Sequence, residues 1–195
     1  MNISRKKHAI ILDIDGTLCD NRSIIHMLDG TAVRDYDGYH IKSIDLPVHP
    51  DVLKIAQQAR MEGLAIIVVT ARPDLYQQVT YDWLLKNNIP MDELHMRRST
   101  DFRSDDLAKK DILNDIRKRY DVVHAVDDNP LNVALFKAEN ISVTVVPGYD
   151  RQEWETSNPE GRIEIPSPIG NGRCLRCGRK ISGNRMFGPD CAKIW

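Results

Sequence analysis

His8-Ala9-Ile10-Ile11-Leu12-Asp13-Ile14-Asp15-Gly16-Thr17-Leu18 is the stretch on which the reading of this chain turns. The apolar run Ala9–Leu12 predicts a strand buried on both faces. It ends in two carboxylates one residue apart, followed by glycine. Residues i and i+2 of a strand point to the same side, so Asp13 and Asp15 can converge just past the strand end. In an open parallel sheet, ligands bind at that edge. Two neighbouring carboxylates stay ionised together only beside positive charge, and a hard cation such as Mg²⁺ supplies it most simply. Taken alone, Asp-x-Asp-Gly leaves open an ordinary turn closing a strand, so the rest of the chain must decide.

The chain has 195 residues, enough for one domain of ordinary size plus a small appendage. Its 42% hydrophobic and 28% charged residues are those of a soluble globular protein. A net charge of −1 excludes bulk attraction to nucleic acid or membrane, so any such binding must come from a local patch. Arg5, Lys6 and Lys7 precede the apolar run, but the run is too short for a secretion signal and meets Asp13 at once. No segment is long enough to cross a bilayer. Of the four cysteines, Cys174, Cys177 and Cys191 crowd one end while Cys19 stands apart. That is no disulfide framework, and it points to a reducing, cytoplasmic setting.

Further along, residues 19–50 are polar with one apolar knot at Ile24–Leu28, and are expected to form a loop or small cap over the strand ends. A helix capped by Asp51 is predicted to Glu62, stopped by Gly63. Leu64–Val69 is a second strand, ending in Thr70-Ala71-Arg72. Pro73 suits the first turn of a helix running to about Asn88, with Leu75, Val79, Trp83 and Leu84 at helical spacing. A strand at Glu93–Met96, a basic loop at Arg97–Arg103 and a helix from Ser104 to Tyr120 follow. Then come a strand at Val122–Val126 ending in Asp127-Asp128, a helix at Leu131–Glu139 and a strand at Ser142–Val146. Strands alternating with helices predict an α/β fold with a central parallel sheet flanked by helices. Right-handed crossovers bring Asp13/Asp15, Thr70/Arg72 and Asp127/Asp128 to one edge. The expected organisation is a domain over residues 1–150, a Pro/Gly/Ser-rich linker over 151–171 and a separate small module over 172–195.

This ordered set resembles the haloacid dehalogenase (HAD) superfamily of phosphohydrolases, which have a Rossmann-like fold. Asp13-Ile14-Asp15-Gly16-Thr17-Leu18 looks like its first motif, Thr70 its second, Lys109 or Lys110 its third and Asp127-Asp128 its fourth. The resemblance implies a Mg²⁺-dependent phosphomonoesterase. Asp13 would attack phosphorus to give an aspartyl-phosphate, and Asp15 would serve as acid and then base. Thr70 and a lysine would hold the phosphoryl group. The metal would sit among Asp13, the Ile14 carbonyl, Asp15, Asp127 and Asp128. Helix geometry chooses between the lysines. With Ala108, Ile112, Leu113, Ile116 and Tyr120 marking the buried face, Lys109 lies near its middle and Lys110 points away.

Thr70-Ala71-Arg72 and Phe102-Arg103-Ser104-Asp105-Asp106-Leu107-Ala108-Lys109-Lys110 further resemble the phosphatase half of bacteriophage polynucleotide kinase/3′-phosphatases. That likeness implies a phosphate contact from Arg72 and a second active-site arginine, for which Arg22 and Arg34 are both candidates. No Gly-x-x-x-x-Gly-Lys-Ser/Thr phosphate loop occurs, so a stand-alone phosphatase is expected. Its substrate would be a phosphorylated nucleic-acid end, gripped with Arg97, Arg98 and Arg103 and stacked near Tyr36, Tyr39 and His40. A 5′(3′)-nucleotidase or another small-molecule phosphatase is the alternative.

Cys174-Leu175-Arg176-Cys177-Gly178 and Gly188-Pro189-Asp190-Cys191 resemble a small zinc-binding module found at the ends of phage and actinobacterial proteins. Zn²⁺ at Cys174, Cys177 and Cys191 is one ligand short of a closed site. Asp190, the terminal carboxylate, a partner chain or water would complete it, and a metal-free cysteine turn is the other reading. The basic side chains of this segment, Arg173 to Lys193, also allow a nucleic-acid adaptor whose tail does the work.

Overall fold

The computed structural model describes residues 6–28 and 34–148. Five strands, β1 (Lys7–Leu12), β2 (Ala65–Pro73), β3 (Glu93–Arg97), β4 (Tyr120–Asp127) and β5 (Ser142–Val145), form one sheet in the order β3-β2-β1-β4-β5. Every pairing is parallel. Five helices accompany them: α1 (Tyr36–Lys42), α2 (Pro50–Met61), α3 (Gln77–Lys86), α4 (Asp105–Ile116) and α5 (Pro130–Ala138). The sheet has the Rossmann-like α/β arrangement expected from the alternation of strands and helices.

Strand alternation divides the core. Ile10, Leu12, Ile66 and Val68 pack with Val52, Ile55 and Ala59 of α2 and Trp83 of α3 on one face. Ala9, Ile11, Ala65, Ile67 and Val69 pack with Leu113 and Ile116 of α4 and Phe136 of α5 on the other. Both faces of the central strand are therefore dry, which is why its apolar run is unbroken. The chain runs outward from β1 to β3, then returns to the other side of β1 for β4. That reversal opens a crevice at the carboxyl ends of β1 and β4.

Several element boundaries differ from the sequence expectation for local reasons. Pro50 takes the first position of α2, which places Asp51 inside the first turn rather than at the cap. Gly63 follows the helix at φ +78°, a conformation glycine accepts without cost. Pro73 ends β2 instead of opening a helix, and a 3₁₀ turn (Asp74–Tyr76) separates it from α3. Leu75 in that turn is consequently exposed, while Trp83 and Leu84 are buried. Tyr120 opens β4 and is not part of α4, whose buried residues include Ala108, Lys109, Leu113 and Ile116.

The expected cap contains structure of its own. Asp35 caps α1 by accepting from the Gly38 amide at 2.8 Å. A 3₁₀ turn follows α1 directly (Ser43–Asp45). Trp83 Nε1 donates to the Leu46 carbonyl at 2.8 Å and Lys86 Nζ to the Ile44 carbonyl at 3.1 Å, fastening the segment to α3. No helix among the described residues is long and apolar enough to cross a membrane. The expected linker and cysteine module, residues 151–195 with Cys174, Cys177 and Cys191, lie outside the described residues.

Candidate active site

The site is assembled where β1 and β4 end side by side. The Asp13 amide donates to the Val126 carbonyl at 3.0 Å, extending the ladder by one residue. The chain then turns sharply, with Gly16 at φ +81°. The turn leaves no room beside Gly16: a Cβ there would lie 2.3 Å from Asp128 Oδ2. The same carboxylate is approached from the loop after β5, where a Cβ on Gly148 would lie 2.4 Å from Asp128 Oδ2 and 2.6 Å from the Gly16 carbonyl.

Asp13, Asp127 and Asp128 each offer an oxygen within 4.8 Å of the others, and all three residues are buried. The cation expected from helix geometry is there. Lys109 Nζ, 2% exposed, lies 2.6 Å from Asp13 Oδ1 and 2.7 Å from Asp127 Oδ2. Lys110 points outward and pairs with Glu139 at 3.8 Å. Asp127 Oδ1 is held by the Asn129 amide and by Asn132 Nδ2, each at 3.0 Å. Thr17 Oγ1 donates to Asp128 Oδ1 at 3.0 Å.

One ammonium for three carboxylates leaves negative charge in excess. Burial pushes the Asp13 carboxyl well above the usual range, Asp127 and Asp128 add to it, and Lys109 opposes. Burial, reinforced by Asp127, drives Asp128 up to about 7. Against the cost of burial, Asp127 and Asp13 hold the Lys109 ammonium charged. A close set of oxygen donors with unbalanced negative charge suits a hard divalent cation. The residues that fit are Asp13, Asp127 and Asp128. The Ile14 carbonyl, an expected metal ligand, accepts the amides of Thr17 at 3.1 Å and Cys19 at 2.7 Å, which use both its lone pairs. Asp15, also an expected ligand, is not part of this group, and its carboxylate is held by Arg72.

Asp15 has a different environment. Arg72 grips it through Nε to Oδ2 and Nη2 to Oδ1, both at 2.7 Å. The Tyr39 hydroxyl donates to Oδ1 at 3.1 Å. Burial acts to raise its pKa, but Arg72 overrides it and holds the carboxyl below the usual range. Two aspartates in one turn thus have opposite shifts, one sharing a cation with other carboxylates and one owning a guanidinium. Thr70 Oγ1 accepts from the Arg72 amide at 3.2 Å, which leaves its hydrogen free to donate.

Most of the other expected substrate contacts are engaged locally. Arg72 is buried, and its remaining nitrogen, Nη1, donates to Thr80 Oγ1 at 3.3 Å. Arg97 reaches the Ala71 carbonyl at 3.1 Å and pairs with Asp105. Arg103 pairs with Asp101 at 2.7 Å and Asp111 at 2.8 Å. Arg98 is exposed. Arg22 pairs with Asp20, and Arg34 donates to the Tyr36 hydroxyl at 3.1 Å. Tyr39 is no stacking platform, being 2% exposed and committed to Asp15. His40 is also buried, against the Tyr76 ring at 4.2 Å.

Residues 7–149 match the family model described as the polynucleotide kinase PNKP phosphatase domain, of HAD type. A chain of the Pnkp1/Rnl/Hen1 RNA repair complex aligns with a TM-score of 0.61 and 26% identity, covering 73% of this chain and 43% of that one. The present chain therefore spans less than half the length of that relative. The class C acid phosphatase from Bacillus anthracis aligns with a TM-score of 0.56 and 18% identity, over 95% of this chain and 70% of that one. A predicted phosphatase from Clostridium acetobutylicum gives a TM-score of 0.52 at 13% identity, over 72% and 84%. These two are likenesses of fold. No curated protein matches the sequence.

A parallel sheet whose central strand delivers Asp-x-Asp beside a lysine and a second aspartate pair defines a HAD-type phosphatase. Within that class, the chain belongs to the PNKP phosphatase-domain family.

Proposed function

We propose that this phosphatase is a Mg²⁺-dependent phosphomonoesterase that works through an aspartyl-phosphate and acts on phosphorylated nucleic-acid ends, as a polynucleotide 3′-phosphatase. The observation that carries the chemistry is the division between the two aspartates of one turn. Asp13 stands with Lys109 and the aspartate pair, while Asp15 is oriented separately by Arg72 and Tyr39.

Asp13 attacks phosphorus through a carboxylate oxygen, and the bond from phosphorus to the leaving oxygen breaks. Arg72 keeps Asp15 ionised at rest, so Asp15 takes up the proton of a phosphate monoester bound as its monoanion and passes it to that oxygen. Water then attacks phosphorus, Asp13 is released, and Asp15 recovers a proton from the water. Lys109 steadies the phosphoryl group from the buried side, and the free hydrogen of the Thr70 hydroxyl binds one of its oxygens. Asp13, Asp127 and Asp128 would hold Mg²⁺, which supplies charge neutralisation that lets an anionic nucleophile approach an anionic ester.

The substrate class is supported by the family match and by the relative found in an RNA repair complex. Comparing kcat/KM on a 3′-phosphorylated oligonucleotide and on a mononucleotide tests it. Equal or better turnover of the mononucleotide sinks the end-processing reading in favour of a nucleotidase. Undiminished activity in Asp13→Asn sinks the nucleophile assignment.

The organisation that goes with this reading is a phosphatase domain over 1–150, with a linker over 151–171 and a zinc module over 172–195. The support for zinc at Cys174, Cys177 and Cys191 is their spacing. Metal analysis of the purified protein tests it, and zinc well below one equivalent removes it. A reducing compartment such as the cytoplasm suits these cysteines.

A further inference from the structure

Tyr39 is placed where packing alone does not require a hydroxyl. Its ring is buried between the cap and the turn after β1, with the His40 ring 5.2 Å away edge-on. A phenylalanine would fill that space equally well. The hydroxyl nevertheless carries two directed bonds. Asn21 Nδ2 donates to it at 2.9 Å, and it donates to Asp15 Oδ1 at 3.1 Å. Because the Asn21 amide occupies the acceptor side, the phenolic hydrogen is left for Asp15.

The two oxygens of Asp15 are therefore unequal. Oδ1 accepts from Arg72 Nη2 and from Tyr39, while Oδ2 accepts from Arg72 Nε alone. A carboxylate oxygen offers two in-plane lone pairs. Both are used on Oδ1 and one remains on Oδ2. The side chain keeps 24% of its surface exposed, so a group otherwise enclosed still meets what enters the site.

We propose that Tyr39 is a positioning residue for Asp15: by occupying the second lone pair of Oδ1 it assigns the transferable proton to Oδ2. This rests on the reading of Asp15 as the acid and base of the reaction. Tyr39 sits on α1, which is capped by Asp35 and continues into a turn fastened to Trp83 through the Leu46 carbonyl. The cap thus takes part in the chemistry by fixing which oxygen of the acid delivers the proton, as well as by covering the site.

The test uses leaving groups that differ in their need for a proton. An alkoxide, as from a 3′-phosphorylated oligonucleotide, needs one, whereas p-nitrophenolate departs without it. Removing an acid entirely costs about 10²–10⁴-fold. Tyr39→Phe is expected to lower the ratio of kcat on the oligonucleotide to kcat on p-nitrophenyl phosphate by about tenfold, a fraction of that range, with KM little changed. Asn21→Leu, which frees the phenolic hydrogen to turn away, is expected to lower the same ratio by a smaller factor. An unchanged ratio in a folded Tyr39→Phe protein overturns the proposal. Asp15→Asn separates the two levels. If it lowers the ratio while Tyr39→Phe does not, only the role of Tyr39 falls. If it leaves the ratio unchanged, the acid assignment and the inference fall together.

Discussion

Lys109 Nζ lies 2.6 Å from Asp13 Oδ1 and 2.7 Å from Asp127 Oδ2, so one buried ammonium joins the ends of β1 and β4. Removing one partner of a buried pair leaves uncompensated charge and costs about 3–5 kcal/mol. Lys109→Ala is expected to lose that order of stability in urea unfolding, and to lose activity by about 10²–10³-fold, as when a preorganised charge is removed from an active site. Lys110→Ala, which breaks only an exposed contact to Glu139, is expected to keep activity within about twofold and stability within about 0.5 kcal/mol. Comparable losses in both variants would overturn the choice between the lysines.

Excess negative charge among Asp13, Asp127 and Asp128 is expected to make stability respond to divalent cations. Mg²⁺ at about 100 times its Kd adds about 2.7 kcal/mol, which for a chain of this size raises Tm by about 5–10 °C. Asp128→Asn relieves repulsion, so without Mg²⁺ its Tm is expected to equal or exceed that of the wild type, while the Mg²⁺-induced rise shrinks. A thermal scan in chelator and in Mg²⁺ reads both effects. No rise in the wild type would remove the metal from the site.

Gly148→Ala places a methyl group 2.4 Å from Asp128 Oδ2 and 2.6 Å from the Gly16 carbonyl, and backbone cannot yield as a flexible side chain does. A stability loss of about 1–3 kcal/mol is expected from overpacking, together with weaker Mg²⁺ binding by calorimetry. Gly63→Ala is the contrast. Nothing lies within 4 Å of its Cβ, but φ is +78°, so it is expected to lose about 1–2 kcal/mol with Mg²⁺ affinity intact. Equal Mg²⁺ affinity in both variants would refute the close approach at Gly148.

His124 is buried in β4 with Nε2 2.9 Å from Thr144 Oγ1, and burial lowers its pKa to about 4. Unfolded, a histidine titrates near pH 6.5. Between about pH 6.5 and 4 the unfolded chain binds a proton that the folded one refuses, so this contribution is complete above that window and is lost as pH falls through it. The shift corresponds to about 3 kcal/mol. The raised carboxyls of Asp13 and Asp128 act in the opposite direction, so the comparison must be internal. Urea unfolding at pH 7.5 and pH 5 is expected to show a smaller stability loss on acidification in His124→Gln than in the wild type. An equal loss would contradict a neutral buried His124.

The order of elements, the buried central strand and the gathering of Asp13, Lys109, Asp127 and Asp128 were legible because each rests on a short-range pattern: an apolar run, a helical face, a residue at a strand end. The Lys109 choice needed only the angle per residue. What escaped depends on contacts distant in sequence. Tyr39 meets Asp15 across 24 residues, and nothing local separates a tyrosine bound to an acid from one awaiting a nucleobase. Arg72 was legible as an active-site arginine, but its capture by Asp15 across 57 residues was not. The commitment of Arg97 to Asp105 and of Arg103 to Asp101 and Asp111 weakens a reading drawn from basic composition alone. The Ile14 carbonyl is taken up by the Thr17 and Cys19 amides of a tight turn, a backbone property that composition does not display.

The pairing of β1 with β4, two strands far apart in the chain, has a consequence for biosynthesis. Asp13 emerges from the ribosome long before Asp127 and Asp128, and its neighbour in the sheet does not exist until β4 has been made. Long-range parallel pairing of this kind is slow because the intervening loop must be closed first. A chain halted anywhere before residue 127 carries Asp13 but no complete carboxylate cluster. On the proposed mechanism, activity is expected to wait for the docking of β4, and phosphate release during refolding would time that step.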